Sequence, residues 1–97
     1  MPAYMIAQIE IHDPDEYQNY LKGFMPIFER YNGRLLVTSS KELHVLEGNW
    51  EFPRVVLMEF PSVDLAQSWI NDPDYQKLAR HRHQSARANL ILVEGHA

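Results

Sequence analysis

The chain has 97 residues, 45% hydrophobic and 23% charged, which suits one globular domain spanning 1–97 and leaves no room for two. A formal net charge of -4 excludes the basic footprint of a general nucleic-acid binder. There is no cysteine, which rules out disulfides, thiolate catalysis and thiolate metal sites and favours a reducing compartment.

Residues Ala3 to His12 (AYMIAQIEIH) set Met5, Ala7, Ile9 and Ile11 on one side, the period-two pattern of a strand. Asp13-Pro14-Asp15-Glu16 is a helix start: Asp13 as cap, Pro14 at the first helical position, and Glu16 at capping-box spacing. The helix carries Tyr17, Tyr20, Leu21, Phe24, Phe28 and Tyr31 on one stripe, with Pro26 expected to kink or divide it. Asn32-Gly33 ends it, Gly33 being the expected left-handed residue. Arg34–Thr38 is a second strand, Ser39-Ser40-Lys41 a turn, and Leu43–Glu47 a continuation or hairpin partner. After a loop carrying Trp50, Arg54–Phe60 is a third main strand, rich in β-branched and aromatic residues. Ser62 caps a helix with Leu65, Ala66, Trp69 and Ile70 inward, and Asp72-Pro73-Asp74 restarts one with Tyr75, Leu78, Ala79, Arg82 and Ala86 inward. Asn89–Glu94 is the last strand. The order is β-α-β-(β)-β-α-β, the split-βαβ or ferredoxin-like α+β arrangement (βαββαβ) with an antiparallel sheet.

Both faces of that sheet are apolar. Val55 and Leu57 oppose Val56, Met58 and Phe60; Ile91 and Val93 oppose Leu90 and Leu92; Tyr4 and Ile6 oppose Met5, Ala7, Ile9 and Ile11. Helices on one side cover one face only, and an antiparallel sheet with a free face normally alternates apolar and polar residues. The expected cover is a second copy of the chain, packed sheet to sheet about a twofold axis. No signal peptide is evident at Met1-Pro2-Ala3-Tyr4, and no apolar run nears the ~20 residues of a membrane helix. A cytoplasmic homodimer without nucleic-acid or membrane partners is the expectation.

DPDEYQNY (Asp13–Tyr20), RYNGRLLV (Arg30–Val37), VLEGNWEFPRVVLMEFPS (Val45–Ser62), AQSWINDPDYQKLARHR (Ala66–Arg82) and LVEG (Leu92–Gly95) together carry a family resemblance. With its EG-x-W, EFPS and W-x-x-x-P-x-Y motifs, the chain resembles the domain of unknown function family DUF1330 of the dimeric α+β barrel superfamily. It departs at Asn32, where the family pattern usually has a second glycine. The resemblance implies two ferredoxin-like protomers sharing a barrel, and a ligand cleft between the helices and the sheet. It implies no single activity, since relatives include cofactor-free monooxygenases, haem-degrading enzymes, isomerases, dehydratases and ligand-binding modules.

Around such a cleft the ligand-binding candidates are Tyr17, Tyr20, Trp50, Arg54, Trp69, Tyr75 and Arg82, with Tyr75 and Arg82 the catalytic candidates. Apolar walls with a few convergent polar groups suit a small ligand, and arginine suits its anionic oxygen. The competing reading makes the aromatics core and pairs the arginines with Glu10, Glu47 or Glu59. His81 and His83, two apart on a helix, point away from each other and have no companion ligand motif, so no metal site is expected. Nothing around His12 or His44 identifies a base partner. A haem-degrading pattern would use Trp69 and Gln8, but its histidine position falls at Ala79, two residues before His81. No cofactor is expected. The favoured function is a cofactor-free enzyme acting on a small aromatic or carboxylated metabolite; a non-catalytic ligand-binding or regulatory module is the alternative, and haem binding comes third.

Overall fold

A computed structural model describes residues 1–39 and 43–96. The elements run β1 (Ala3–Ile11), α1 (Pro14–Arg30), β2 (Arg34–Ser39), β3 (Arg54–Phe60), α2 (Val63–Asn71), α3 (Pro73–Ser85) and β4 (Ala86–Glu94). The strands form one antiparallel sheet in the order β2-β3-β1-β4, the ferredoxin-like arrangement expected from the pattern.

Local chemistry sets each boundary. Asp13 Oδ1 accepts from the Glu16 N–H at 3.2 Å and Pro14 opens α1. The capping box is only half made. The Glu16 carboxylate turns instead to Asn19 Nδ2 at 3.0 Å and His81 Nδ1 at 2.7 Å, while the Asp13 N–H donates to the Ser85 carbonyl at 3.1 Å. Pro26 does not divide α1, which runs unbroken for 17 residues; Pro26 and Lys22, whose carbonyl loses its partner, are both exposed, so water can serve that group.

At the end of α1 the left-handed residue is Asn32 (φ 57°), not Gly33. Asparagine tolerates that conformation better than most residues, and the position is where the family pattern carries glycine. Gly33 is needed for space: a Cβ there would lie 2.4 Å from the ring of the fully buried Phe28.

Leu43–Glu47 is not a strand. Strand preference is realised only against a cross-strand partner, and this segment finds none among the described residues. Val45 and Leu46 are left exposed. Ser40 and Lys41 of the expected turn lie outside the described residues. The last strand begins at Ala86, three residues before Asn89, so Ala86 opens β4 instead of extending the α3 stripe. Ser85, fully buried, anchors that junction: its carbonyl accepts from His12 N–H and Asp13 N–H, and its hydroxyl donates to the His81 carbonyl.

The core lies between the helices and one sheet face. Met5, Ala7 and Ile9 of β1 meet Val56, Met58 and Phe60 of β3 there, under Phe24, Phe28, Trp69 and Tyr75 of the helices. Edge-on ring contacts run from Phe28 to Phe60 (centroids 5.3 Å) and from Phe24 to Trp69 (5.8 Å). Each such pair is worth about 0.5–1.5 kcal/mol beyond its buried area. Gly23 lets α1 approach α3, since a Cβ there would lie 2.7 Å from Leu78 Cδ1. The opposite sheet face carries Tyr4, Ile6, Val55, Leu57, Ile91 and Val93, with Ile91 55% exposed.

Candidate functional site

A cavity of about 70 Å³ opens between the helices and the inner sheet face. That is several times the room one water needs. Even-numbered residues of β3 and β4 and odd-numbered residues of β1 face it, which brings Ala7, Ile9, Arg54, Val56, Met58, Ala88 and Leu90 into one apolar floor. Tyr17, Tyr20 and Phe24 of α1, Trp69 of α2, and Tyr75 and Arg82 of α3 make the roof.

Six of the seven sequence-proposed ligand residues thus line one cavity: Tyr17, Tyr20, Arg54, Trp69, Tyr75 and Arg82. Trp50 does not; it stands on the β2–β3 connection, 45% exposed. Gln8 points to the outer face, where it accepts from Asn89 Nδ2 at 3.3 Å, so Gln8 and Trp69 lie on opposite sides of the sheet. His81 pairs with Glu16 at 2.7 Å. Among the described residues no three histidine or carboxylate side chains gather as a metal-holding cluster.

The polar equipment centres on two phenols and two guanidiniums. The Tyr20 and Tyr75 hydroxyls lie 2.8 Å apart, both residues buried. Burial first, then Tyr75, pushes Tyr20 well above the ordinary phenol value, so its hydroxyl stays protonated and able to donate. Tyr17 is also pushed up, chiefly by burial. The Arg82 guanidinium carbon lies 5.8 Å from the Tyr20 ring centroid. Burial works against its charge, but Tyr75 and Tyr20 outweigh that and hold the group above its usual value. Arg54 sits equally over Tyr17, at 5.8 Å, and donates to Thr38 Oγ1 at 2.9 Å. Arg54 Nε and Trp69 Nε1 are buried donors without an acceptor among the described residues. An unmet donor of this kind costs about 1–3 kcal/mol.

Sequence reading missed Thr38, and a β-bulge explains why. Leu35 opposes Met58, but Val37 opposes Leu57, so the register slips by one at Leu36. The slip turns Val37 outward and Thr38 inward, beside Arg54. Plain alternation would have put Thr38 on the far face.

The sequence model of the family described as "Domain of unknown function (DUF1330)" matches residues 2–96. Among solved structures, a protein of unknown function from Rhodopseudomonas palustris is 26% identical, with TM-score 0.77 over 99% of this chain and 83% of that one. SnoaB, a cofactor-independent oxygenase from Streptomyces nogalater, is 12% identical, with TM-score 0.67 over 99% of this chain and 94% of that one. A dimeric ferredoxin-like protein of unknown function from Jannaschia sp. CCS1 is 15% identical, with TM-score 0.67 over 98% and 100% of the two chains. The last two likenesses show the fold alone. No curated protein matches.

Proposed function

The chain belongs to the DUF1330 family, and on that premise we propose that it is a cofactor-free enzyme acting on a small aromatic or carboxylated metabolite held between its helices and its sheet. One observation carries this reading. Arg54 and Arg82 line an apolar, aromatic cavity, and no carboxylate stands beside them among its described lining residues. Both guanidiniums are half-buried against apolar and aromatic walls, where an anionic ligand oxygen would match their charge and donors. The aromatic walls suit a flat ligand, and Arg82 beside the protonated Tyr20 hydroxyl suits a reaction that builds negative charge on a ligand oxygen. Donors fixed in advance stabilise such charge with little reorganisation. The fold houses cofactor-independent chemistry in SnoaB, which makes the reading compatible with the architecture.

Arg82→Ala tests it. Turnover or binding of the responsive compound from a panel of small aromatic acids and phenols is expected to disappear, with the thermal unfolding profile kept. Unchanged behaviour across the panel would remove the reading.

A second reading, a ligand-binding module without turnover, draws on a different observation. The described lining holds no carboxylate or imidazole that could serve as a general base. It calls for saturable binding and a raised melting temperature with no product formed. Mass spectrometry that finds a converted ligand would end it.

We further propose that the working form is a homodimer joined through the open sheet face, in the cytoplasm as cysteine-free composition suggests. The outer face has an apolar centre of Ile6, Val55, Leu57 and Ile91, and polar groups that pair with one another: Arg34 with Glu59, Arg87 with Glu10, and Gln8, beside Val55, with Asn89. That is the anatomy of a buried interface with a polar rim. A molecule 32 × 30 Å in plan and 16 Å thick offers a face of the order of the ~800 Å² per partner that stable complexes bury. One structural neighbour is described as dimeric. No helix among the described residues is long and apolar enough to cross a membrane.

A further inference from the structure

The charge balance of the cavity points to a narrower ligand class. The chain is acidic, with 13 carboxylates against 9 lysines and arginines. Of its four other arginines three use that surplus: Arg30 pairs with Asp72 and Asp74, Arg34 with Glu59, and Arg87 with Glu10, while Arg80 is exposed on α3 with no carboxylate pair among the described residues. The two arginines of the cavity, Arg54 and Arg82, have no carboxylate partner among the described residues. Arg54 rides on Tyr17 and Arg82 on Tyr20, adjacent rings with centroids 5.6 Å apart.

Two guanidiniums line the cavity, and a single monoanion balances only one of their two charges. The ring faces beneath them soften the desolvation of a cation but supply no counter-charge. Each guanidinium also makes its own demand for an acceptor. Arg54 spends one N–H on Thr38 and keeps its buried Nε unmet, while Arg82 donates to His83 Nε2 at 3.4 Å and lies beside the Tyr20–Tyr75 pair, neutral partners that bring no counter-charge.

We propose that the ligand carries two anionic groups on a flat skeleton, an unsaturated or aromatic dicarboxylate or its doubly ionised equivalent, with one group on Arg54 and the other on Arg82. This rests on reading the cavity as the ligand site. The described polar lining leans toward donors: Arg54, Arg82 and Trp69 can only donate, the Thr38 hydroxyl oxygen is engaged by Arg54, and the phenols of Tyr17, Tyr20 and Tyr75 can donate as well as accept. Amines and neutral amides bring no negative charge to oppose the two guanidiniums.

Titration calorimetry with matched probes tests it: acrylate against fumarate, and benzoate against terephthalate, with benzamide as the neutral control. In the size class that binds, the diacid is expected to bind at least tenfold tighter than the monoacid. Its affinity should also fall more steeply with added salt. Arg54→Gln and Arg82→Gln should each erase most of the diacid preference while the melting temperature stays near that of the parent. The salt series on the unaltered protein decides the matter if either variant fails to fold. A monoacid that binds as tightly as its diacid, with the same salt slope, overturns the inference and leaves the anion-site reading standing. Benzamide binding as well as the acids, or no probe binding at all, overturns both.

Discussion

The Tyr20 hydroxyl meets the Tyr75 hydroxyl at 2.8 Å inside the core, a direct polar link between α1 and α3 across an otherwise aromatic contact. One phenol must donate to the other, so each depends on its partner. Tyr75→Phe takes the hydroxyl partner away from the buried Tyr20 oxygen, and Tyr20→Phe does the converse. Each single variant is expected to lose about 1–3 kcal/mol. The double variant removes both polar atoms together and should cost clearly less than the sum, which urea denaturation of the four-member cycle measures. Additive losses would mean that the two hydroxyls are not coupled.

The same pair sets an alkaline limit. Tyr20 is held well above its ordinary value by burial and then by Tyr75, so the folded state favours the neutral phenol. A raised value contributes stability that is complete below the unfolded phenol pKa of about 10 and is lost as pH rises toward the folded one. Ultraviolet absorbance titration should show Tyr20 ionising only as the chain unfolds at high pH. Tyr20→Phe should flatten the alkaline limb of the stability curve.

Glu16 and His81 tie the start of α1 to the far part of α3, and their effect lies at the other end of the pH scale. The hydrogen bond from His81, then that from Asn19, holds the Glu16 carboxyl below its ordinary value. A depressed carboxyl contributes stability that is present above the unfolded value and lost as pH falls through the folded one. His81→Ala should move the Glu16 midpoint upward in a carbon-detected NMR titration and make the acid limb of unfolding shallower. An unmoved midpoint would dismiss the link.

The turn after α1 gives a sharper test of local chemistry. Gly33→Ala forces a methyl against the ring of Phe28, which is fully buried and cannot swing aside, so a loss of about 1–3 kcal/mol is expected. Asn32→Gly occupies a position already left-handed and should change stability by less than about 1 kcal/mol. Thermal melts of the two variants compare the effects directly. Equal losses would show that conformation, not space, governs Gly33.

These two residues also show what the sequence can and cannot say. That a helix ends at Asn32-Gly33 is legible, because both residue types favour the break; which of them takes the positive φ depends on where the Phe28 ring packs, a tertiary fact. The strand faces were legible in β1, β3 and β4, where alternation is unbroken. In β2 the bulge at Leu36 inverts the pattern, so Thr38 reached the cavity unannounced. Leu43–Glu47 has strand-like residues but pairs with no strand among the described residues, although β2 and β4 leave edges open. Within the site, the helical spacing of Tyr17, Tyr20, Trp69, Tyr75 and Arg82 was enough to place them on inward stripes. The Tyr20–Tyr75 contact joins residues 55 positions apart, which no local spacing encodes.

The outer sheet face provides the test of assembly. Ile91 and Leu57 sit on that face, away from the cavity, so changing them leaves the core and its lining intact. Burying a large aliphatic side chain contributes roughly 1.5–3 kcal/mol, and a twofold axis counts each substitution twice. Ile91→Asp should therefore weaken a dimer by about 3–6 kcal/mol, a dissociation constant raised more than a hundredfold. Sedimentation should show the parent as a pair of chains at micromolar concentration and the variant as single chains with an unchanged far-ultraviolet spectrum. Single chains in the parent at that concentration would refute the pairing, and the apolar face would then need another cover.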